Sequence, residues 1–425
     1  MKKNLNPWTE NDEKEHYPSV IEWWCAEGFF ESNKEKKYNF KGSFTEWFTK
    51  EKEIGSTIDF TLFDLDKKEH ISFYKRSDKN KLITKYDKNK GQKIEYEKSY
   101  LQGRFPNYEM SFYNPKNDIK LNLSYNSKFY PHWITQDITG GYLPMGFGFY
   151  RYGFIPRLDI KGILKIKNKS YEVEGFGYYE HVWGDFSYKN PLGDLSFLKK
   201  SLKIYSKLTG WWIHNHKLKI PNKIKFSSEN NPLGYDWVWA VFDNGWSIYL
   251  GNILFWVSEG PVFGTLVFTK DGERYTEFCD VSYKYKKLQK SKNFDFIYPS
   301  EIEVIAKKGN EKLSLNFKST MDSREFVNPL NQKKWIAFVI CESPGVVKGY
   351  YQNNNEKINL YGNCKLEPQR QISIYGHNVL SFEFLKPPKG VGIKIDFNSH
   401  HFKKRIKANL KLAPKPKIRF SVKKK

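Results

Sequence analysis

The sequence predicts an all-β protein made of two consecutive antiparallel β-barrel or sandwich domains, with one inserted basic amphipathic helix. Three observations predict this. β-branched and aromatic residues dominate while alanine and leucine are sparse, a profile that favours strands. Short alternating apolar runs recur at intervals of about 8–12 residues between Gly- and Asn-rich turns, the cadence of a barrel or sandwich. No sustained helical period occurs before residue 190, which argues against a doubly wound sheet. At 425 residues the chain has room for two domains of ordinary size.

The elements follow in order. Residues 1–15 are polar and are expected to be flexible. Ser19–Phe30 reads as the first strand, with Trp23 facing one side and Trp24 the other, and Gly42–Phe48 pairs with it. Thr57–Phe63 alternates cleanly, and further short strands continue to Tyr125. The loop Tyr142–Pro156 alternates glycines with aromatic residues around a single charge, Arg151; it suits either the mouth of a pocket or an irregular packed strand. Leu158–Ile166 and Ser170–Trp183 then form a hairpin around Asn168. The N-terminal domain spans 16–225 and includes the inserted helix, 194–209. On a helical wheel Leu195, Leu198, Leu202, Tyr205, Leu208 and Trp212 share one side, while Lys199, Lys200, Lys203 and Lys207 gather opposite. That pattern suits an anionic membrane surface contacted through 195–212, or equally an ordinary surface helix with solvated lysines. Polar residues from Pro221 to Pro232 mark the boundary. The C-terminal β-domain spans 232–412, beginning with two strands around Asp243-Asn-Gly245, a hairpin-turn sequence. Residues 413–425 form a basic tail whose end is expected to be disordered.

Composition narrows the partners. Lys and Arg number 71 against 47 Asp and Glu, a formal net charge of +24. A positive field on this scale attracts anionic lipid headgroups or nucleic acid. The lysines are spread along the chain and the aromatic residues occupy strand-core positions, so nucleic acid is the weaker expectation. The four cysteines have no close spacing, and no phosphate-binding loop, His-Glu-x2-His or Gly-x-Ser-x-Gly motif occurs. The reading therefore includes no metal and no cofactor, and reduced, buried thiols. The N-terminus lacks an apolar core and no run of 18 apolar residues exists. A cytoplasmic protein able to sit on the inner face of the membrane is expected.

Chemistry concentrates in Gly175-Phe-Gly-Tyr-Tyr-Glu-His-Val-Trp-Gly184. On a strand, Tyr179, His181 and Trp183 share one face, and Tyr178, Glu180 and Val182 share the other. One titratable ring between two aromatic ones suits an apolar pocket with one proton donor or acceptor, or a core strand with one buried histidine. Two further segments accompany it: His16-Tyr-Pro-Ser-Val-Ile-Glu-Trp-Trp-Cys-Ala-Glu-Gly28, and Gly234-Tyr-Asp-Trp-Val-Trp-Ala-Val-Phe-Asp-Asn-Gly245.

The ordered set of three motifs resembles the hydroxyneurosporene-synthase (carotenoid 1,2-hydratase) and AttH-like family of lipocalin-like proteins over residues 16–255. The sequence departs from that pattern at Glu180, where Asp is usual, at Cys25, where an aromatic residue is expected, and in a long insertion over 186–233. The resemblance implies two lipocalin/calycin-like β-domains with a cleft that holds an apolar, isoprenoid-like lipid. The implied chemistry is acid-assisted hydration, isomerisation or cyclisation of an alkene; a non-catalytic lipid-binding or carrier protein would use the same pocket. The family's His-x-Trp element falls on His181 and Trp183, and its Tyr-plus-acid element on Tyr235 and Asp236. Candidate catalytic residues are thus His181, Asp236, Glu180 and Tyr235. Glu180 points away from His181 on a regular strand, so both line one pocket only through a bulge. Trp23, Trp24, Tyr179, Trp183, Trp237, Trp239 and Arg151 are candidate substrate-binding residues. Glu22 is another, or else a structural acid held by backbone amides.

Overall fold

The structure, a computed structural model, describes residues 8–48, 54–77, 81–145, 148–186, 195–215, 223–227, 233–255, 263–278, 280–294, 296–328, 336–354, 356–373, 378–384, 392–399, 404–411 and 417–424. Its described strands form three antiparallel sheets of 13, 10 and 5 strands. The all-β expectation with one inserted helix is met.

The 13-stranded sheet is built outward from the opening strand, Ile21–Ser32. One edge pairs with Lys37–Phe48 and, beyond it, Ile54–Asp64 and Glu69–Ser77. The other edge pairs with Lys169–Asp185, whose hairpin partner is Gly148–Ile166. The 10-stranded sheet repeats this wiring. Leu233–Phe242 lies between Ser247–Phe255 and Lys357–Ser373, and the latter pairs with Ile336–Gln352. Two halves with no evident sequence repeat thus share one topology, with the first strand clasped between its own hairpin and the returning long hairpin.

Alternation along these strands separates the three largest hydrophobic clusters among the described residues. Trp24, Ala26, Phe40, Phe44 and Tyr179 fill the N-terminal interior. Val238, Ala240, Leu250 and Leu366 fill the C-terminal one. The outward residues of the same strands make a third cluster between the domains, with Phe29, Tyr152, Phe154, Tyr178 and Val182 from one side and Trp237, Trp239, Val241 and Tyr249 from the other. The glycines of the motif strand serve close approach. A Cβ on Gly177 would lie 2.4 Å from the Tyr125 ring, and one on its cross-strand partner Gly28 would lie 2.8 Å from Phe40.

Charged pairs join the domains beside the aromatic cluster. Arg324 forks onto Asp59, with Nη2–Oδ1 at 2.6 Å and Nη1–Oδ2 at 2.8 Å, and also reaches Glu342 at 3.1 Å. Lys41 binds Glu342 and lies 3.1 Å from Glu367, and Lys365 lies 3.3 Å from Glu27. All these groups are buried or nearly so. Each is costly to desolvate and tolerable only with its partner in place.

Several expectations are corrected. Residues 8–15 are ordered, not frayed: Trp8 is buried, Thr9 hydrogen-bonds the Asp12 side chain, and Asp12 pairs with Arg151 at 2.6 Å. The inserted helix begins with a 3₁₀ turn, Leu195–Phe197, and continues as Leu198–Asn215; Asp194 lies outside the described residues. Its Trp211 and Trp212 are within the helix rather than after it. The helix is also rotated from the expected stripe. Ser201 and Ile204 are buried, Leu195 and Leu202 are exposed, and the Lys200 ammonium sits 3.8 Å from the Phe149 ring centre. The aromatic strand beneath, not the leucine count, sets the rotation. At the C-terminus, Asn378–Phe384, Gly392–Ser399 and Lys404–Lys411 do not complete the second domain's sheet. They join a five-stranded sheet in which Lys223–Ser227 pairs with Asn378–Phe384, closed at the other edge by Lys417–Lys424 where a disordered end was expected. The described cysteines Cys25, Cys341 and Cys364 are free and buried, as expected.

Replacing Arg324 by Met should cost about 3–5 kcal/mol of folding free energy, read from urea denaturation, because Asp59 and Glu342 would lose their guanidinium. Removing Arg324 and Asp59 together, for apolar residues of similar size, should cost less than the single change.

Candidate functional site

The opening strand and the motif strand pair without a bulge from Ile21↔Gly184 to Ser32↔Val173. Alternation is therefore strict, and Glu180 and His181 face opposite ways. The bulge that would have united them is absent from this pairing.

Glu180 faces the C-terminal domain. It is 9% exposed. Its Oε1 accepts a hydrogen bond from Trp23 Nε1 at 2.9 Å, and its Oε2 contacts the hydroxyls of Tyr178, at 2.8 Å, and Tyr152. The two hydroxyls also touch each other at 2.8 Å. Both phenol hydroxyls are thus placed to donate to Oε2. Burial raises the Glu180 pKa, against the lowering effect of Tyr152, Trp23 and Tyr178. Trp237 and Trp239 lie on this face, each with its ring centre 5.4 Å from that of Tyr178. Tyr235 joins the same cluster and donates to Glu367 Oε1 at 2.8 Å. Trp23 and Tyr235, at its rim, are half-buried.

His181 faces the interior of the N-terminal domain and is fully buried. Nδ1 lies 2.9 Å from the Asp12 carbonyl oxygen, and Nε2 lies 2.6 Å from Glu22 Oε1. Glu22 Oε1 also lies 3.0 Å from His16 Nδ1, and Oε2 accepts the His16 backbone N–H at 2.8 Å. Trp24 stacks on His181 at 5.0 Å, and Trp183 stacks on His16 at 3.5 Å. Arg151 closes this end, its guanidinium 3.7 Å from the Trp133 ring centre and 5.5 Å from that of Trp183. Tyr179, on the same face, accepts a hydrogen bond from Gln92 Nε2 at 2.5 Å. Burial drives His181 down, opposed by Glu22. Burial also pushes Glu22 up, but its hydrogen bonds to His16 and His181 outweigh this and hold it below its ordinary range. Glu46, directly across from Glu22, is pushed up to about 9 by burial and by Glu15 and Glu22.

Asp236 occupies a third environment. It faces the interior of the C-terminal domain, bonded by the Tyr285 hydroxyl and paired with Arg370 at 2.8 Å. Arg370 also donates to the Tyr235 carbonyl at 2.9 Å. The four candidate catalytic residues thus do not share one cleft: Glu180 and Tyr235 lie between the domains, His181 in the first and Asp236 in the second. The Trp candidates divide likewise, with Trp23, Trp237 and Trp239 beside Glu180, and Trp24 and Trp183 beside His181. Glu22 is held by two imidazoles and one amide rather than by amides alone.

Sequence reasoning missed Tyr152, His16 and Glu46. Tyr152 stood in the Gly-aromatic segment, which was singled out only for Arg151. His16 opened the first quoted motif, but nothing in the spacing pointed to a contact with His181, 165 positions on.

No protein-family model and no curated protein matches the sequence. Solved structures do match in fold. A candidate AttH protein from Nitrosomonas europaea superposes with a TM-score of 0.55 at 15% identity, covering 84% of this chain and 94% of that one. Kievitone hydratase from Nectria haematococca superposes with a TM-score of 0.55 at 10% identity, covering 86% and 94%.

The raised Glu180 pKa makes a spectroscopic prediction. The infrared difference between wild type and Glu180→Gln should contain a protonated-carboxyl stretch that persists above the usual carboxylate range and vanishes at higher pH. Because the folded pKa is raised, the stability Glu180 contributes is present at low pH and is lost as pH rises through that value. A difference spectrum showing only carboxylate bands just above the usual carboxylate range would refute the raised pKa.

The chain therefore has the two-domain lipocalin-like β fold of the AttH candidate and of kievitone hydratase, the fold its motifs led us to expect.

Proposed function

We infer that the protein acts on an apolar, isoprenoid-like lipid between its two β-domains, with Glu180 as the acid that protonates an alkene. One observation carries the reading: a buried carboxyl, pushed toward its neutral form by burial, with two phenol hydroxyls and an indole in contact and aromatic rings from both domains around it. A carboxyl kept neutral by burial is the proton donor such chemistry needs.

The steps balance on this chain's groups. Glu180 transfers its proton to one alkene carbon and becomes a carboxylate. The other alkene carbon becomes cationic, and the rings of Trp23, Trp237 and Trp239 attract it by about 0.5–2 kcal/mol each. In hydration, water bonds to that carbon and loses a proton to Glu180, directly or through Tyr178 or Tyr152. In isomerisation, a neighbouring carbon returns the proton. In cyclisation, a second alkene captures the cation before the proton is returned. Glu180 ends protonated in each case. Tyr235 lines the same face. Asp236 acts at one remove, holding Arg370, which in turn holds the Tyr235 carbonyl. His181, turned to the other face, takes no part in these steps.

Delivery of such a substrate suits the inserted helix. Leu195 and Leu202 are exposed on the same element as Lys199 and Lys203, which supports contact with an anionic lipid surface. Among the described residues no helix is long and apolar enough to cross a membrane.

The test begins with mass spectrometry of lipid that copurifies with the protein, followed by incubation of that lipid with fresh protein in H₂¹⁸O and in D₂O. Wild type should incorporate label, and Glu180→Gln should bind the lipid but turn it over about 10²–10⁴-fold more slowly. Anionic vesicles should capture wild type better than neutral ones, and Leu202→Glu should reduce that capture. Lipid returned without label by well-folded wild type would replace the enzyme reading with that of a carrier. Equal turnover by Glu180→Gln would remove Glu180 from the chemistry.

A further inference from the structure

The cluster on the opposite face of the motif strand is unused by the chemistry above, and its atoms call for a cation. We propose that His16, Glu22 and His181 form a binding site for one divalent transition-metal ion of the zinc class, with Glu46 as the adjoining carboxylate.

The donor set comes first. His16 Nδ1, His181 Nε2 and a Glu22 oxygen all lie within 4.8 Å of one another. Two imidazoles and a carboxylate are a common ligand set for zinc. Ligand bonds of roughly 2.0–2.1 Å place tetrahedral donors roughly 3.3 Å apart. The present separations of 2.6 and 3.0 Å from Glu22 Oε1 need only slight opening to reach that spacing.

The second point is the direction of the lone pairs. The Asp12 carbonyl can only accept, so the Nδ1 of His181 beside it carries the hydrogen. Nε2 is then the nitrogen that faces Glu22 Oε1, 2.6 Å away, where either a proton or a metal ion can stand between the two. A histidine that donates one nitrogen to a backbone carbonyl and offers the other to a ligand is oriented as metal-bound histidines are.

Glu46 supplies a third and independent observation. It lies directly across from Glu22 on the neighbouring strand, is fully buried, and neither of its carboxylate oxygens has a hydrogen-bond partner. The charged groups acting on it are two more carboxyls, Glu15 and Glu22. Opposite Glu22 on the sheet, it is placed to join an ion held by that carboxylate. Stacking on Trp183 and Trp24 fixes the two imidazole rings in advance of binding. The His16 side chain is 21% exposed, which gives the ion a route from solvent.

The test uses the full chain, stripped with a chelator and titrated with Zn²⁺ by calorimetry and with Co²⁺ by visible absorption. Wild type should bind one ion per chain, and Co²⁺ should give the intense absorption of a four-coordinate site. His16→Ala and Glu22→Gln should each weaken binding at least tenfold, while Glu180→Gln should leave it unchanged. Because Glu22 is buried, X-ray absorption on the wild-type zinc complex provides a second reading that needs no variant: two imidazole ligands are expected. No stoichiometric binding, an all-oxygen shell, or wild-type affinity in a folded His16→Ala variant would each overturn the proposal. None of these outcomes depends on the lipid chemistry of Glu180.

Discussion

An unbroken antiparallel register between Ile21–Ser32 and Lys169–Asp185 decides where every group of chemical interest points. Side chains on a strand alternate with a period of two, so a slip of one residue would exchange the two faces completely. With the register as observed, Trp24 meets His181 on the inner face, while Trp23 reaches Glu180 on the outer face from 157 positions away in sequence. One pair of strands thus serves two chemically separate environments. The outer one presents phenols and indoles to an acid; the inner one presents imidazoles to a pair of carboxylates.

The outer environment exists only because the second domain covers it. Trp237, Trp239 and Tyr249 come from strands whose place in the second sheet matches that of the opening strands in the first. Burying such rings contributes about 1.5–3 kcal/mol each, without specifying orientation. Orientation comes from the charges alongside. Asp59, Lys41 and Glu27 on one domain meet Arg324, Glu342, Glu367 and Lys365 on the other. A rotation of either sheet would strand several of these ions in an apolar contact, at a cost larger than any gain from alternative ring packing. The charged pairs therefore act as a registration device, and the aromatic cluster supplies the adhesion.

The two carboxyls that matter most differ in what surrounds them. Glu180 has three donors in contact and is still driven toward its neutral form by burial. Glu22 is held charged by hydrogen bonds from His16 and His181 although it is equally buried. A carboxyl driven toward its neutral form and one held charged are thus made from the same residue type, a few ångströms of strand apart, by the choice of neighbours alone.

Much of this was legible in the sequence. Alternation assigned Trp23 and Trp24 to opposite faces, grouped Tyr179 with His181 and Trp183, and grouped Tyr178 with Glu180, because a period of two is a local property of the chain. Aromatic content and turn spacing were enough for an all-β fold in two halves. Tertiary structure decided the rest. Which outer face meets which, that Asp236 turns inward to Arg370 while Glu180 turns outward to Tyr152, and that His16 folds back onto Glu22 are contacts between distant segments. The rotation of the inserted helix over Phe149 and the separate C-terminal sheet belong to the same class. Local pattern records which side of a strand a residue occupies; only packing of the whole chain determines what waits on that side.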